Sequence, residues 1–280
     1  MKLVRYGAVG EERPGILDEQ GGIRSLWPVI SDIDVSLLTP ESLGFLEALD
    51  PSRLPLVEGK PRLGSPVQQF RQVIAIGLNY KKHAEEAGLP IPEEPVVFSK
   101  SISSIIGPDD DILLPHDAQK TDWEVELGIV IGSKACRVDA SEARRHVAGY
   151  CLVNDVSERH WQLERAGQWG KGKSLDSFAP VGPWLVTASE LANPGALELT
   201  LDLNGVRKQH GNTSDMIFDV DTIISYLSRF MTLHPGDLII TGTPAGVGMG
   251  RNPPEYLKAG DRIDMSGTGL GSQSHQVKAL

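Results

Sequence analysis

The sequence predicts a β-rich α+β fold built on a curved or barrel-like mixed sheet. Three observations lead there. Apolar runs of strand length recur between Gly- and Pro-bearing loops from Gln72 to Met265. Asn204-Gly205 separates two such runs and reads as a hairpin turn. Few segments carry the 3.6-residue apolar repeat of a helix, and no internal repeat or low-complexity tract is present.

The first 70 residues read as a small N-terminal β-rich domain. Short strands are expected at 3–9, 15–18 and 23–26, parted by turns such as Gln20-Gly21-Gly22. Thr39 as N-cap and Pro40 at the first helical position start a helix to about residue 49, stopped near Pro51. A Pro/Gly-rich connector spans 55–66. This region holds no catalytic cluster and is expected to support the second domain, 71–280.

In that domain strands are expected at 72–76, 96–98, 123–131, 150–153, 184–186, 197–203, 238–241 and 262–265. A short helix is expected over 81–87, ended by Gly88 and Pro90. Asp139 caps another, and Asp219 caps an amphipathic helix through Ile223, Ile224, Leu227 and Phe230 to about Met231.

A formal net charge of −10 makes nucleic acid and anionic membrane surfaces poor partners, since both want a basic face. Cys136 and Cys151 match no metal spacing and no disulfide framework, which points to a reducing compartment. The N-terminus lacks a signal-type apolar segment, and no run approaches the ~20 apolar residues of a membrane span. A soluble cytoplasmic protein is expected.

Thr121 to Gly132, TDWEVELGIVIG, raises a physical problem. On a strand Glu124 and Glu126 share one face, at the mouth of a fully apolar run. Two arrangements relieve their repulsion: an exposed face screened by water, or a buried face with a bound cation. Asp155 ends the apolar strand of GYCLVNDVS and adds a third carboxylate. Such an all-oxygen set suits Mg²⁺, Mn²⁺ or Ca²⁺, and without a Cys/His cluster zinc is disfavoured.

Four further clusters carry chemistry. His83 and Glu86 in GLNYKKHAEEAG lie three apart, so a helix puts them on one face, either as a solvated surface or as a carboxylate-oriented base. The flanking glycines suggest a movable segment. Lys173 in GKGKSLDSFAP is flanked by small residues and is either a solvated lysine or one that reaches an anion; the spacing is not that of a Walker A loop. Arg159 and Gln162, three apart after Asp155, offer a charge clamp and an amide. Thr243 lies in the LIITGTPAGVG turn, whose backbone N–H groups suit a carboxylate.

These strings, with EPVVFSK and GNTSDMIFDV, occur together in an order that resembles the fumarylacetoacetate hydrolase family, over almost everything from Arg71 to Gly250. The opening MKLVRYG is similar to the small N-terminal domain of its bacterial branch. The resemblance implies a mixed β-sheet roll. It implies that Glu124, Glu126 and Asp155 hold Mg²⁺ or Mn²⁺, with Ca²⁺ as a substitute. It implies that His83 and Glu86 activate water on a lid that orders with substrate, with Glu85 as a rival for the partner's place. Lys173 would polarise substrate, and Arg159, Gln162 and Thr243 would bind it. Ile76 falls where larger animal members carry a fourth acidic ligand, so three are expected. The implied reaction is hydrolysis of a C–C bond in a 2,4-dioxo acid, an acylpyruvate such as 2,4-dioxo-3-deoxy-rhamnonate or fumarylpyruvate. The rival reactions are oxaloacetate decarboxylation, isomerisation or hydration of a 2-oxo diacid, and ureidoglycolate lysis. A homodimer is also implied.

Overall fold

The computed structural model describes residues 1–280. Its centre is a ten-stranded mixed sheet. The strands run Ile23–Ser25, Arg13–Leu17, Lys2–Tyr6, Ala179–Thr187, Val147–Asn154, Val125–Ile131, Asp237–Ile240, Gln72–Gly77 and Val96–Lys100, and Ile105–Ile106 pairs with Ala179–Thr187 off this path. A second, five-stranded sheet runs Val206–Asn212, Glu198–Leu203, Arg262–Gly267, Gly271–Ala279 and Ile112–Leu114. The β-rich α+β reading of the sequence therefore holds. No helix is long and apolar enough to cross a membrane.

The central strands are buried on both faces, as their continuous apolar runs require. Along Val125–Ile131, Leu127, Ile129 and Ile131 point into one core, which is closed by Leu199, Leu201 and Met265 of the second sheet and by Ile223 and Leu227 of the helix Val220–Ser228. Val130 points the other way, into a core with Leu3, Ile16, Leu26 and Leu46 from the first 70 residues. The N-terminal region thus extends the central sheet through Leu3↔Leu185 and also covers one of its faces.

The Asn204-Gly205 hairpin forms with φ of 52° and 75°, as a primed turn needs. Thr39 caps the helix Pro40–Glu47, and Asp219 caps Val220–Ser228 by accepting from the Thr222 N–H at 2.8 Å.

The strand expected over 3–9 ends at Tyr6, Asp139 precedes its helix without a side-chain capping bond, and the helix from Asp219 ends at Ser228. Three further expectations shift. The strand expected over 123–131 is broken: Thr121–Asp122 pairs with Ser157–Glu158, and regular pairing resumes at Val125. Between them the Trp123 and Glu124 N–H groups donate to the side chains of Asp122 and Asn154. The strand expected at 184–186 runs from Ala179 to Thr187, although Pro180 and Pro183 remove two ladder donors; a register shift against Tyr150 and Leu152 absorbs the irregularity. The strand expected at 96–98 continues to Lys100, whose side chain is wholly buried.

Shared burial leads to a stability prediction. Leu3→Ala should cost about 2–5 kcal/mol, the range for truncating a buried leucine. Because Leu3 packs in one core with Val130 and Leu238, far-UV circular dichroism and tryptophan fluorescence should report one coincident urea transition, moved together by the substitution. Two separated transitions, only one of them shifted, would show that the N-terminal region unfolds on its own.

Candidate active site

The carboxylate-bearing segments meet where the central strands end. Glu126 lies on Val125–Ile131, opposite Val153 of the adjoining strand, and Asp155 follows that strand. The Asp155 N–H donates to the Glu124 carbonyl at 2.8 Å, which locks the two segments together. Glu124, Glu126 and Asp155 are all buried and offer oxygens within 4.8 Å of one another. The exposed-face alternative for the paired glutamates is thereby removed.

Three cations answer these charges. Lys173 donates to Glu124 Oε2 at 2.6 Å and to Asp155 Oδ2 at 2.7 Å. Lys100 donates to Asp155 Oδ1 at 2.6 Å and to the Val156 carbonyl at 3.1 Å. Arg159 reaches Glu124 Oε1 at 2.6 Å, Asp122 Oδ2 at 2.9 Å and Gln162 Oε1 at 3.0 Å. Burial raises the Glu124 carboxyl, but Arg159 and Lys173 outweigh it and hold the group below the usual carboxylate range. Burial draws Lys173 down, but Asp155 and Glu124 reverse it and leave the ammonium above its ordinary value. Lys100 falls below its own, chiefly through burial. Glu126 has no such partner; it accepts only the Gly242 N–H, at 2.8 Å. Burial first, then the charges of Asp155 and Glu124, push its carboxyl well above the usual range.

His83 and Glu86 sit on the short helix Lys81–Glu86. His83 Nδ1 lies 3.1 Å from Glu86 Oε2, and Glu86 is itself fixed by the Gly246 N–H at 2.9 Å. Glu85 faces solvent, so the histidine's partner is Glu86. The glycine turn that the sequence offered to a ligand carboxylate is filled by the protein's own: Gly242 binds Glu126, Gly246 binds Glu86, and Gly248 and Met249 bind Asp122. Gly246 has φ 108°, and a Cβ there would lie 2.1 Å from the Lys208 carbonyl, so only glycine fits.

A cavity of about 120 Å³ brings together His83, Glu124, Glu126, Asp155, Arg159, Gln162, Lys173 and Thr243. Glu86 stands behind His83, and Ile76 lines the wall where a fourth acid was not expected. The Thr243 hydroxyl is already engaged, donating to the Val125 carbonyl and accepting from Gln209 Nε2. A larger groove of about 610 Å³ lies elsewhere, and its Arg5, Arg62, Glu12 and Asp110 are closed into ion pairs with one another or with Asp32. The chemistry belongs to the smaller cavity.

Sequence reading missed Lys100, Asp122 and Gln209. Lys100 closes a strand and looks like a solvated end. Asp122 and Gln209 hold Arg159, Thr243 and the Val125 N–H across long stretches of chain. Only the apolar flank VVF before Lys100 hinted at a buried position.

The donor set fits a hard divalent cation: three carboxylates, oxygen only, one of them lacking a cationic partner. Two outcomes follow. Glu124→Ala should lose Mg²⁺ and Mn²⁺ binding. Because Glu126 keeps its proton at a pH where an ordinary carboxyl has lost it, a cation must displace that proton. Affinity should fall as pH is lowered, by up to about tenfold per unit for one displaced proton. Calorimetric titration at a series of pH values above the ordinary carboxylate range should register the proton release, and Glu126→Gln should abolish it. A wild-type affinity that ignores pH would contradict this account of Glu126.

Residues 72–278 match the family model described as "Fumarylacetoacetate (FAA) hydrolase C-terminal". A Burkholderia multivorans protein named "Putative hydrolase" is 55% identical over 280 residues, which is 100% of this chain and 99% of that protein. The fumarylacetoacetate hydrolase of Exiguobacterium antarcticum superposes with a TM-score of 0.89 at 38% identity, with 100% of both chains covered. The 5-carboxymethyl-2-hydroxymuconate delta-isomerase of Mycobacterium smegmatis does so with a TM-score of 0.78 at 32% identity, covering 100% of this chain and 99% of the other. With this arrangement of buried carboxylates, histidine and lysine on this fold, the chain belongs to the fumarylacetoacetate hydrolase family.

Proposed function

We propose that the protein hydrolyses a C–C bond of 2,4-dioxo acids, releasing pyruvate and a carboxylic acid. The observation that carries this reading is a carboxylate-oriented histidine, His83, lining the same cavity as the three buried carboxylates and Lys173. A decarboxylase, whose enolate forms by loss of CO₂, would have no use for such a base.

Glu124, Glu126 and Asp155 would hold Mg²⁺ or Mn²⁺, with Ca²⁺ as a substitute. When bound, the cation supplies Lewis acidity and charge compensation to the oxygens of a 2-oxo acid. The remaining work falls to the chain. Nδ1 of His83 is engaged by Glu86, which leaves Nε2 to take a proton from water. The water oxygen adds to the 4-carbonyl carbon. The C3–C4 bond then breaks, its electron pair passing to the pyruvate enolate, and a proton returns to C3. Lys173 has its ammonium beside the carboxylates that frame the cavity and faces the negative charge that develops on the departing enolate. Arg159, fixed by Asp122 and Glu124, and Gln162 orient the substrate's oxygens.

One observation favours a second reading. A structure 32% identical over the whole chain is an isomerase, and decarboxylation of oxaloacetate or isomerisation of a 2-oxo diacid would use the carboxylates and Lys173 without activated water. His83→Ala separates hydrolysis from decarboxylation, and product analysis separates hydrolysis from isomerisation, which also moves a proton through a base. A positioned base contributes roughly 10²–10⁴-fold, so acylpyruvate cleavage should fall by about that factor. Cation binding should persist, because the ligands lie on other segments, and oxaloacetate decarboxylation should fall far less. Chelation should stop cleavage, and Mg²⁺ or Mn²⁺ should restore it. Unchanged acylpyruvate cleavage beside collapsed decarboxylation would replace the hydrolase reading with the second one.

A further inference from the structure

The cavity has two poles, and only one has been assigned work. Every charged or titratable side chain lining it belongs to the cluster already described. The rest of the wall is apolar: Leu78, Leu89, Phe98, Leu163, Trp169 and Met249. Arg159 and Lys173, the lining cations of permanent charge, are each held by two protein carboxylates. A second carboxylate on the substrate would find no partner at this pole.

Three observations make the apolar pole a built surface. Leu89 and Leu163 stand at the cavity mouth with 49% and 44% of their area exposed. Leu78 has φ 52°, a left-handed conformation costly for a bulky non-glycine residue. The neighbouring Asn79 fixes that conformation: its amide donates to the Phe218 and Thr241 carbonyls at 2.9 and 2.8 Å, and its Oδ1 accepts from the Phe218 N–H at 2.8 Å. Trp169 closes over Gly77, where a Cβ would lie 2.7 Å from the indole, and meets Phe98 edge-on at 5.3 Å between centroids. A leucine side chain is thus held against backbone preference in the cavity wall, among aromatics packed onto glycine.

We propose that this pole selects the acyl group, and that the substrates are acylpyruvates with an uncharged, apolar acyl chain, alkyl or aryl. Acyl groups that end in a carboxylate or carry several hydroxyls are disfavoured, because burying such groups without partners is costly. The inference rests on the hydrolase reading only for the reaction and not for the shape of the pole.

The test uses the full-length protein with Mg²⁺. The probes 2,4-dioxopentanoate, 2,4-dioxononanoate, 4-phenyl-2,4-dioxobutanoate and fumarylpyruvate should be compared by kcat/KM. Each buried methylene is worth up to about fourfold. With the mouth partly open, the nonanoate should exceed the pentanoate by at least about tenfold, and fumarylpyruvate should trail the nonanoate by a similar factor. Leu78→Asn keeps a residue that tolerates the left-handed backbone and should erase the chain-length gradient. Leu163→Arg, at a half-exposed position, should raise fumarylpyruvate relative to the nonanoate. A wild type that prefers fumarylpyruvate overturns the proposal. A second arm titrates two uncleavable ligands, 2-oxononanoate and 2-oxoadipate, by calorimetry. If no dioxo acid is cleaved yet 2-oxononanoate binds about tenfold more tightly, the hydrolase reading fails and the apolar pole stands. If 2-oxoadipate binds as tightly or more so, the apolar pole is wrong whatever the reaction.

Discussion

Burying Glu124, Glu126 and Asp155 within 4.8 Å of one another is the constraint on which this molecule is organised. Like charges so close in a low-dielectric interior repel strongly, and each has lost its water. Much of the surrounding sequence can be read as compensation. Lys173 bridges Glu124 and Asp155, Lys100 binds the other oxygen of Asp155, and Arg159 takes the other oxygen of Glu124. Each carboxylate oxygen so engaged has one direction left to it, and that gives the cluster a fixed geometry. Glu126 alone is left with a backbone donor, so it is the member whose charge depends most on what enters the cavity.

The fold supplies the rigidity this requires. Asp122, buried and off the main sheet, ties Arg159 to the glycine turn through the Gly248 and Met249 N–H groups. Gln209 comes from the second sheet and joins the Val125 N–H to Thr243 and the Pro244 carbonyl. The site therefore lies where both sheets and the turn after Asp237–Ile240 converge, with no single element able to shift alone. His83 differs. It rides on a six-residue helix that lacks a side-chain cap and is held to the turn through Glu86 and Gly246. The charge cluster is built into the core, whereas the His83 side chain is tied to the glycine turn through one carboxylate, on a short helix seated by Tyr80 and Ala84.

That difference explains what was legible in the sequence. The paired glutamates stood out because period-two spacing puts acids on one face of a strand that then turns wholly apolar, and the structure buries both. Local signals were equally readable: Thr39, Asp219 and Asn204-Gly205 act within a few residues of themselves. Lys100, Asp122 and Gln209 were not, because their partners lie 55, 37 and 34 residues away. For a lysine ending VVFSK, the apolar flank is the one local mark, and it is too weak to separate a buried counter-charge from a solvated strand end. The strand Ala179–Thr187 was half hidden for the opposite reason. Its prolines argue locally against a ladder, while its place between Lys2–Tyr6 and Val147–Asn154 enforces one. The nine candidate residues nevertheless converge, eight on one cavity wall and Glu86 behind His83.

The same asymmetry bears on how one fold serves different reactions. A cluster that holds a cation and steadies an enolate is equally useful to a hydrolase, an isomerase or a decarboxylase, so it cannot by itself decide among them. What can differ at low structural cost is the attached part: the helix bearing His83, the strained Leu78 beside it, and the loop carrying Leu89. These sit on one short segment, 78–89, anchored to the core by Asn79, Glu86 and the buried Tyr80 and Ala84. The proposed base and part of the proposed acyl wall thus share a mount, separate from the charged cluster, and Phe98, Leu163, Trp169 and Met249 complete that wall from elsewhere. On the proposed roles, substitutions in this segment would change the base and part of the acyl wall while leaving in place the buried ion network, whose loss would leave unpaired charges in the core.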